Sequence, residues 1–517
     1  MNVNRKSGIL AHITSLPSRF GIGDLGQTAF DFIDFLHNSG QRCWQFLPVN
    51  PVSEAFDFSP YMSLSAFAGC PLLISPEEMV KKDFLSADDI SLIPEFNEYR
   101  VKFVEVASFK EKIFRRAFTK FNNSNSHAAF DNFCRQEKNW LDDYALFMSL
   151  RLEFNQNPWY QWPEPLAGRQ KKSLAQWRKK LSAEINYHKF IQYVFHRQWQ
   201  ELKQYSATKG IKLIGDIPIY IGHDSADVWA HQDCFMLKDM LPTHVAGVPP
   251  DYFSETGQRW GNPLYLWQKG KKHNKNLYEW WRQRLAKIGT LVDIVRIDHF
   301  RGFESFWQIP AAEETAVNGV WVKGPDQFFF KQMAEVTADL SIIAEDLGII
   351  TPEVEKLRKS CGFPGMKILQ FAFDSDEKNS YLPHNFTSTN SVVYTGTHDN
   401  DTTIGWYYDP ETAESSKDRV RRYANADGSR INWDFIRLAY SSIAETAIIP
   451  LQDVLGFGAD CRMNRPSTVT DNWRWRCAAR FLNDDIVLQL RTEVVFYNRL
   501  PDQAKEGRED FDDVSLW

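Results

Sequence analysis

Eight short apolar runs, spread along the chain and rich in Val and Ile, restrict the fold of this sequence more than any other feature. Each run is bounded by Gly, Pro or charged residues, a pattern typical of strands that are buried on both faces of a parallel sheet. The sequence therefore predicts eight parallel strands. They are GILAHITSL (8–16), RCWQFLPVN (42–50), KLIGDIPIY (212–220), IVRIDHF (294–300), SIIAEDLG (341–348), KILQFAF (367–373), SVVYTGTHD (391–399) and AIIPLQDVLG (447–456).

Amphipathic helical patterns lie between many of these runs. Residues 27–38 carry apolar side chains on one stripe, and a second helix is expected to begin at Thr351-Pro352 and to end at Gly362. Alternating strands and helices joined by right-handed crossovers predict an α/β protein, a (β/α)8 TIM barrel. A doubly wound open sheet is the alternative, but no glycine-rich nucleotide-binding turn follows the first strand.

Two intervals between the predicted strands are too long for simple crossovers. Residues 75–200 have mostly helical patterns, whereas residues 222–280 are loop-rich, with many Gly, Pro and Trp residues. We interpret both as large insertions on one catalytic barrel formed by residues 1–517, the second lying over the active site. No internal repeat or long Ser/Gly linker indicates a separately tethered module.

Charge and cysteine content exclude several classes of partner. The formal net charge of −6 offers no basic surplus for nucleic acid or anionic lipid, so neither is expected to bind. No stretch approaches the ~20 apolar residues that span a bilayer, and the first residues do not read as a signal peptide. Seven scattered cysteines without a CxxC pair fit neither a disulfide framework nor a zinc site. We expect a soluble cytoplasmic protein with reduced thiols.

Four acids occupy matching places near the ends of predicted strands: Asp216, Asp298, Glu345 and Asp399. Residues at the C-terminal ends of barrel strands point into the mouth of the barrel, so these four side chains are expected to share one site. Two carboxyl groups can cleave a glycosidic bond, because one protonates the leaving oxygen while the other attacks, or assists attack at, the anomeric carbon. Most of the 66 Asp and Glu residues must be surface groups, so the matching placement is what predicts the site.

The neighbours of two of these acids indicate different roles. Arg296 precedes Asp298 by two positions and so shares its strand face, where its charge should keep Asp298 ionised, as a nucleophile must be. Glu345 follows an Ile-Ile-Ala run and precedes Asp346. Burial and like charge should therefore raise the pKa of Glu345, which suits a general acid.

Motifs along most of the chain resemble one enzyme family. They are TSLPSRFGIGDLG, SPYMSLSAFAG, GDIPIYI, GVPPDYFSETGQRWGNPLY, VRIDHFRGFESFW, AEDLG, YTGTHDND, RMNRPST and NWRWR. As a set they resemble the 4-α-glucanotransferases, also called amylomaltases or disproportionating enzymes, of glycoside hydrolase family 77. The resemblance implies transfer of α-1,4-glucan segments from a donor maltodextrin to the 4-hydroxyl of an acceptor glucose or maltodextrin. It implies a retaining double displacement through a covalent glycosyl-enzyme, with no metal and no cofactor.

The same resemblance implies the roles of individual residues. Asp298 is the expected nucleophile, Glu345 the general acid and base, and Asp399 the third acid, which binds sugar hydroxyls and stabilises the transition state. Tyr61 is expected to stack on a sugar ring. The full set of implied substrate-binding residues is Tyr61, Asp216, Phe253, Gln258, Trp260, Arg296, His299 and His398.

The segment 247–262, which includes Phe253, Gln258 and Trp260, is expected to cover the donor and acceptor sugars. Its aromatic faces could cover glucose rings and exclude water, although an aromatic insertion packed for stability would have a similar composition. Because the implied intermediate is covalent, we predict a carboxyl separation of ~5 Å between Asp298 and Glu345.

The sequence departs from the family pattern at three places. AFDFSPY has Asp57-Phe58 where related proteins usually have a Gly-Asp pair, Cys70 stands where Asn is usual, and Ser467 stands where Gly is common. These positions lie near the expected glucan grooves. The catalytic acids are unchanged.

Three other functions share part of this pattern. An α-amylase-type hydrolase would use the same barrel and acids but let water accept the sugar. A non-catalytic glucan-binding protein would keep the aromatic residues, although it would have no need of three acids and Arg296. A phosphate-handling barrel would need a phosphate cradle near the last strands, where LQDVLGFGAD offers only Gly456 and Gly458.

Overall fold

The centre of the molecule is an eight-stranded parallel sheet. The computed structural model describes residues 5–124, 127–250 and 254–500. In the sheet successive strands pair with each other, except the fifth and the sixth, and the first strand pairs with the last. The strands are β1 (Lys6–Leu10), β2 (Cys43–Gln45), β3 (Lys212–Pro218), β4 (Ile294–Asp298), β5 (Ser341–Ala344), β6 (Gly365–Ile368), β7 (Ser391–Tyr394) and β8 (Thr446–Pro450).

The sheet closes almost completely into a barrel. Its hydrogen-bonded order is β5-β4-β3-β2-β1-β8-β7-β6. Across the remaining gap between β5 and β6, the backbone N–H of Ala344 donates to the carbonyl of Pro364 at 3.0 Å. The predicted (β/α)8 barrel is therefore confirmed, and each strand lies in one of the eight apolar runs or overlaps it.

Most strands are shorter than the runs that predicted them, because the runs continue past the sheet. The run 391–399 is an example, since β7 ends at Tyr394. Beyond it Thr395 donates its hydroxyl to Asp453 at 2.5 Å, and Thr397 donates to Asn400 at 3.0 Å. The side chains of these residues bond to side chains outside the sheet, so the apolar run ends in a loop at the mouth of the barrel.

Helices surround the barrel and fill the first insertion. Both helices predicted individually are present, and the second is followed by Gly362 with φ of 72°. The α-helices in the described part of the chain are Gln27–Asn38, Pro76–Lys81, Phe103–Asn122, Ala128–Gln136, Lys138–Glu153, Glu164–Ala167, Lys171–Lys180, Ser182–Thr208, Ala226–Ala230, Lys275–Leu291, Asp326–Met333, Pro352–Ser360, Thr403–Tyr408, Glu414–Ala424, Ile431–Ser441, Leu451–Leu455 and Asp484–Phe496.

A second, antiparallel sheet lies beside the barrel. Its four strands, in spatial order, are Val320–Lys323, Ser305–Pro310, His244–Val248 and Gln258–Pro263. The segment 222–280, expected to be loop-rich, contributes two strands to this sheet and also forms two short hairpins, Leu237–Lys238 with Leu241–Pro242 and Gln268–Lys269 with Lys272–His273. The other two follow β4, in a stretch that the sequence analysis did not single out.

The N-terminal end of the barrel is closed by one buried arginine. The Arg499 side chain is fully buried and donates to the carbonyls of Lys6 at 3.0 Å, Tyr440 at 2.9 Å and Ala444 at 3.1 Å. It therefore joins β1 to the segment that leads into β8. The seven cysteines form no disulfide. Within the described ranges, no helix is both long and apolar enough to cross a membrane.

Candidate active site

The candidate catalytic acids lie where the barrel strands end. Asp216 lies within β3, Asp298 is the last residue of β4, and Glu345 follows the last residue of β5. Asp399 follows Tyr394, the end of β7, by five positions and so lies on a loop. Hydrogen bonds and ion pairs nevertheless connect all four to a single site, as the sequence predicted.

Glu345 is held beside Asp298 by the backbone. The N–H of His299, the residue after Asp298, donates to Glu345 Oε2 at 2.7 Å, and the N–H of Leu347 donates to Oε1 at 2.8 Å. His299 has a left-handed conformation, with φ of 53°, which is costly for a residue that is not Gly. This kink ends β4 and turns the N–H of His299 towards Glu345. One carboxyl group is therefore fixed in orientation next to the other.

A chain of polar contacts runs from Asp298 across the barrel. Arg296 lies 3.0 Å from Asp298 Oδ1 and 2.6 Å from Asp216 Oδ2. Tyr61 donates its hydroxyl to the same oxygen of Asp216 at 2.7 Å, and Nε2 of His398 lies 2.8 Å from the Tyr61 oxygen. Because the tyrosine proton points at Asp216, Nε2 of His398 must carry the hydrogen of that bond.

Asp216 is held by other residues of the site. Its side chain is completely buried, and Oδ2 already accepts two hydrogen bonds, from Arg296 and Tyr61. The other oxygen, Oδ1, is buried without a hydrogen-bond partner among the described residues. In the structure Asp216 holds Arg296 and Tyr61 in place, and its direct contact with the glucan stays a prediction.

Asp399 is the most exposed of the four acids, with 44% of its side chain accessible. Its Oδ1 accepts a hydrogen bond from Asn464 Nδ2 at 2.6 Å and lies 3.4 Å from His398 Nε2. The Asp399 carbonyl accepts a bond from Arg462 at 2.6 Å. Asp399 therefore faces the open mouth while its inner oxygen and its backbone are held.

Burial raises the pKa of both carboxyls at the centre. For Glu345 the raised pKa confirms the expectation, with burial as the main cause and the charge of Asp346 as a smaller one. For Asp298 burial also raises the pKa, against the opposing charge of Arg296. Arg296 does favour the ionised form of Asp298, as expected, but the partial burial of Asp298, which the sequence did not reveal, outweighs it. The negative charge of Glu345 also contributes to the raised pKa of Asp298, so the two carboxyls influence each other's ionisation.

Aromatic residues cover the site from two sides. Trp260 packs edge-on against His299 with ring centroids 4.8 Å apart, and its indole N–H donates to Gln258 at 3.1 Å. On the other side Tyr61 stacks on His398, with centroids 5.2 Å apart and an angle of 12° between the rings. Gln258 and Trp260 thus lie beside His299, the residue after Asp298. Phe253 lies outside the described residues.

The two histidines are neutral partners in this arrangement. Burial lowers the pKa of His299 to about 3 and also lowers the pKa of His398. Neutral imidazoles can donate to or accept from sugar hydroxyls without adding charge.

Three residues near the site were missed by the sequence analysis. Arg462 and Asn464 hold Asp399, and Trp473 lies 5.7 Å from Tyr61 and 6.1 Å from His398, ring centre to ring centre. All three lie beyond β8, in the RMNRPST motif and in NWRWR. The motifs were recognised, but no strand end or periodicity placed their side chains in the mouth.

The arrangement can perform acid–base and nucleophilic chemistry on a neutral substrate. A carboxylate that can attack, a neighbouring carboxyl that can carry a proton, and a third acid at the rim are the groups that glycosidic cleavage needs. Among the described residues no group of three or more His, Cys, Asp or Glu side chains could hold a metal ion.

The chain is similar to known proteins over most of its length. A family model described as 4-alpha-glucanotransferase, glycoside hydrolase family 77, matches residues 11–482. A 4-alpha-glucanotransferase from a Synechocystis species is 47% identical over 487 residues, which cover 93% of this chain and 95% of that protein. Another, from Thermus thermophilus, is 44% identical over 511 residues, which cover 97% of this chain and 100% of that protein.

The fold is also similar to that of a solved structure. An amylomaltase from Streptococcus agalactiae, solved in complex with acarbose, matches with a TM-score of 0.91 and 37% sequence identity. The match covers 96% of this chain and 99% of that one.

Proposed function

This chain belongs to the 4-α-glucanotransferases of glycoside hydrolase family 77, and we propose that it transfers α-1,4-glucan segments between maltodextrins by a retaining double displacement. The donor is a maltodextrin, and the acceptor is the 4-hydroxyl of glucose or of another maltodextrin. The observation that carries this proposal is that Asp298 and Glu345 are held next to each other. The backbone N–H of His299, the residue after Asp298, donates to the Glu345 carboxyl at 2.7 Å. The family match supplies the substrate class.

In the first step Asp298 attacks the anomeric carbon while Glu345 protonates the glycosidic oxygen. The bond from C1 to the leaving oxygen breaks, the shortened glucan leaves as a neutral alcohol, and a glycosyl ester forms on Asp298. Of the two carboxyls, Asp298 is the one in direct contact with Arg296, at 3.0 Å, which favours ionisation there and leaves the shared proton on Glu345.

In the second step Glu345 acts as a base. It takes the proton from the 4-hydroxyl of the acceptor, whose oxygen attacks C1 and releases Asp298. Two inversions return the α configuration. We predict a separation of ~5 Å between the two carboxyl groups, because a nucleophile must reach C1 directly, whereas a mechanism through water needs more room.

The remaining residues hold the sugar at the point of cleavage. Asp399 presents its outward oxygen to the hydroxyls of the donor sugar, where developing charge on the ring strengthens such bonds in the transition state. Tyr61, His299 and His398 surround the same sugar. Gln258 and Trp260 cover the donor and acceptor positions and restrict the access of water to the glycosyl-enzyme.

The function is tested by incubating the protein with maltotriose alone. Free glucose, longer maltodextrins and total reducing ends are followed together. We expect glucose and a ladder of longer products while total reducing ends stay constant, because each transfer breaks one α-1,4 bond and makes another. Rising reducing ends would instead identify a hydrolase of the α-amylase type, and an unchanged substrate would argue against catalysis on maltodextrins.

The covalent step is tested with the Glu345→Gln variant and α-maltosyl fluoride. Fluoride leaves without protonation, so Asp298 can still form the ester, whereas its breakdown is slow without the base. Intact-protein mass spectrometry should show one added maltosyl group on Asp298. The matched control is Asp298→Ala, which should show none, and an adduct in that variant or none in Glu345→Gln would exclude the proposed nucleophile.

A further inference from the structure

Asp399 differs from the other two catalytic acids in how its position is fixed. Asp298 ends β4, where pairing with Pro218 of β3 sets its backbone, and Glu345 is fixed by two backbone N–H groups. Asp399 lies on a loop five positions beyond the end of β7 at Tyr394. A carboxylate that must meet sugar hydroxyls with the correct geometry therefore needs support from outside the sheet.

That support comes from Arg462, which follows β8. One terminal nitrogen of its guanidinium donates to the carbonyl of Asp399 at 2.6 Å. Its Nε donates to the carbonyl of Asn464 at 2.8 Å, and the other terminal nitrogen lies 3.7 Å from Asp401 Oδ2. The planar guanidinium of Arg462 thus joins the loop after β7 to the segment 462–464.

Asn464 completes the connection to the carboxylate. Its backbone is held by Arg462, and its side-chain amide donates to Asp399 Oδ1 at 2.6 Å. The same Asp399 oxygen lies 3.4 Å from His398 Nε2. Oδ1 is therefore occupied, and Oδ2 has no protein partner among the described residues, so this oxygen remains for the sugar.

We infer that Arg462 is a positioning residue for catalysis, acting by holding Asp399 and Asn464 in one geometry so that the outward oxygen of Asp399 meets the donor sugar. The inference rests on the proposed function, because its readout is transfer between maltodextrins. A guanidinium has donors in a fixed fork, whereas a lysine ammonium is a point charge on a flexible stem. A lysine at this position can donate to the carbonyl of Asp399 or to that of Asn464, but it cannot hold both carbonyls in a fixed relative orientation.

The test is Arg462→Lys, assayed for disproportionation of maltotriose. We expect kcat to fall by roughly 10- to 100-fold, since a misplaced catalytic group costs rate steeply. KM for maltotriose should change by less than about 3-fold, because Asp399 contributes most in the transition state. Arg465→Lys is the matched control, because Arg465 lies in the same motif with an exposed side chain and should keep wild-type kcat.

A double-mutant cycle separates positioning from general stability. In an Asp399→Asn background, Arg462→Lys should lower the remaining kcat by less than about 2-fold, because the group on which Arg462 acts is already disabled. A loss as large as in the wild-type background would overturn the inference. Wild-type kcat in Arg462→Lys would overturn it as well.

Two further measurements keep the inference distinct from other failures. If Arg462→Lys does not fold, Asn464→Ala is combined with Asp399→Asn in the same double-mutant cycle. Asn464→Ala removes the amide donor to Asp399 and leaves Arg462 intact. Inactivity of the wild-type protein on maltotriose would refute the proposed function itself. An active wild type with an unaffected Arg462→Lys variant would refute only the role of Arg462.

Discussion

At the scale of single residues, the chemistry depends on where one proton resides. Burial raises the pKa of Asp298 and of Glu345, and Arg296 contacts only the first of them. The proposed mechanism needs Asp298 ionised and Glu345 protonated. The rate should therefore fall at low pH, where Asp298 gains a proton, and at high pH, where Glu345 loses its proton.

The pH profile of fluoride release tests this division of roles. With α-maltosyl fluoride the leaving group needs no acid, so the initial burst in Glu345→Gln should lose the alkaline limb that wild type shows with maltotriose. The acid limb, which reports Asp298, should remain and should lie above the usual range of an Asp carboxyl. An alkaline limb that persists in the burst of Glu345→Gln would show that another group titrates there.

The positions of site residues close to a strand end could be predicted from the sequence, and those of residues farther from a strand end could not. Asp298 and Glu345 follow apolar runs directly, so their place in the mouth could be read from the sequence. Arg462 and Asn464 could not be placed, because the helix Leu451–Leu455 and a further turn separate them from β8, and only the tertiary structure defines the course of that segment. The burial of Asp216 was likewise invisible, since an accessible and an enclosed acid at a strand end look alike in sequence.

At the scale of elements, the barrel was predictable and the second sheet was not. Strands buried on both faces give continuous apolar runs, and helices give stripes, so the order of the barrel followed from pattern alone. The strand His244–Val248 is short and contains Gly247. It precedes β4 in the chain, whereas its partner Ser305–Pro310 follows β4. Such a pairing between distant segments leaves no local signal.

The turn at residues 465–468, near the active site, has a residue other than Gly in a left-handed backbone conformation. The Thr468 N–H donates to the Arg465 carbonyl at 3.2 Å, with Pro466 and Ser467 between them, and Ser467 has φ of 66°. A turn of this form favours Gly at the third position. Ser467→Gly should raise stability by about 1 kcal/mol, because a left-handed conformation is costly for residues with a Cβ. Thermal denaturation should show a higher midpoint.

Asp57 provides the contrast. It also has a positive φ, of 46°, but its carboxylate pairs with Arg474 and accepts the Asp471 N–H at 2.9 Å. Asp57→Gly should therefore lower the midpoint, since the lost contacts outweigh the relieved conformation. Equal shifts in the two variants would mean that backbone strain is not what distinguishes these positions.

At the scale of the whole molecule, stability should depend on buried neutral histidines. His12 is buried, and burial lowers its pKa to about 3, as it does for His299. The unfolded chain binds a proton at the ordinary histidine pKa of ~6.5. Acidification from that value towards pH 3 therefore favours the unfolded state, by ~1.4 kcal/mol per pH unit for each such group.

His12→Gln should make the molecule less sensitive to acid. Glutamine does not titrate, so the thermal midpoint of the variant should fall less steeply than that of wild type between about pH 6.5 and 4.5, while His299 still contributes. The comparison uses the difference between the two proteins, because other buried acids add opposite slopes that cancel in it. Parallel curves would show that His12 is not neutral and buried in solution.

Chelation is a further test of the whole enzyme. No group of three or more potential metal ligands occurs in the described ranges, and the proposed chemistry uses carboxyl groups alone. Exhaustive treatment with a chelator should leave the rate of maltotriose disproportionation and the melting midpoint unchanged. Loss of activity that added calcium restores would reveal a metal that the mechanism leaves out.

The pairing of β1 with β8 also constrains the order of events during synthesis on the ribosome. Lys6 pairs with Thr446 and Leu10 with Pro450, so one edge of the first strand stays unpaired until the last strand has emerged. At ~5–20 residues per second, the interval is on the order of half a minute or more. During that time the nascent barrel is an open sheet whose exposed edge must avoid other nascent chains. Only after Arg499 emerges can the barrel's N-terminal end be sealed.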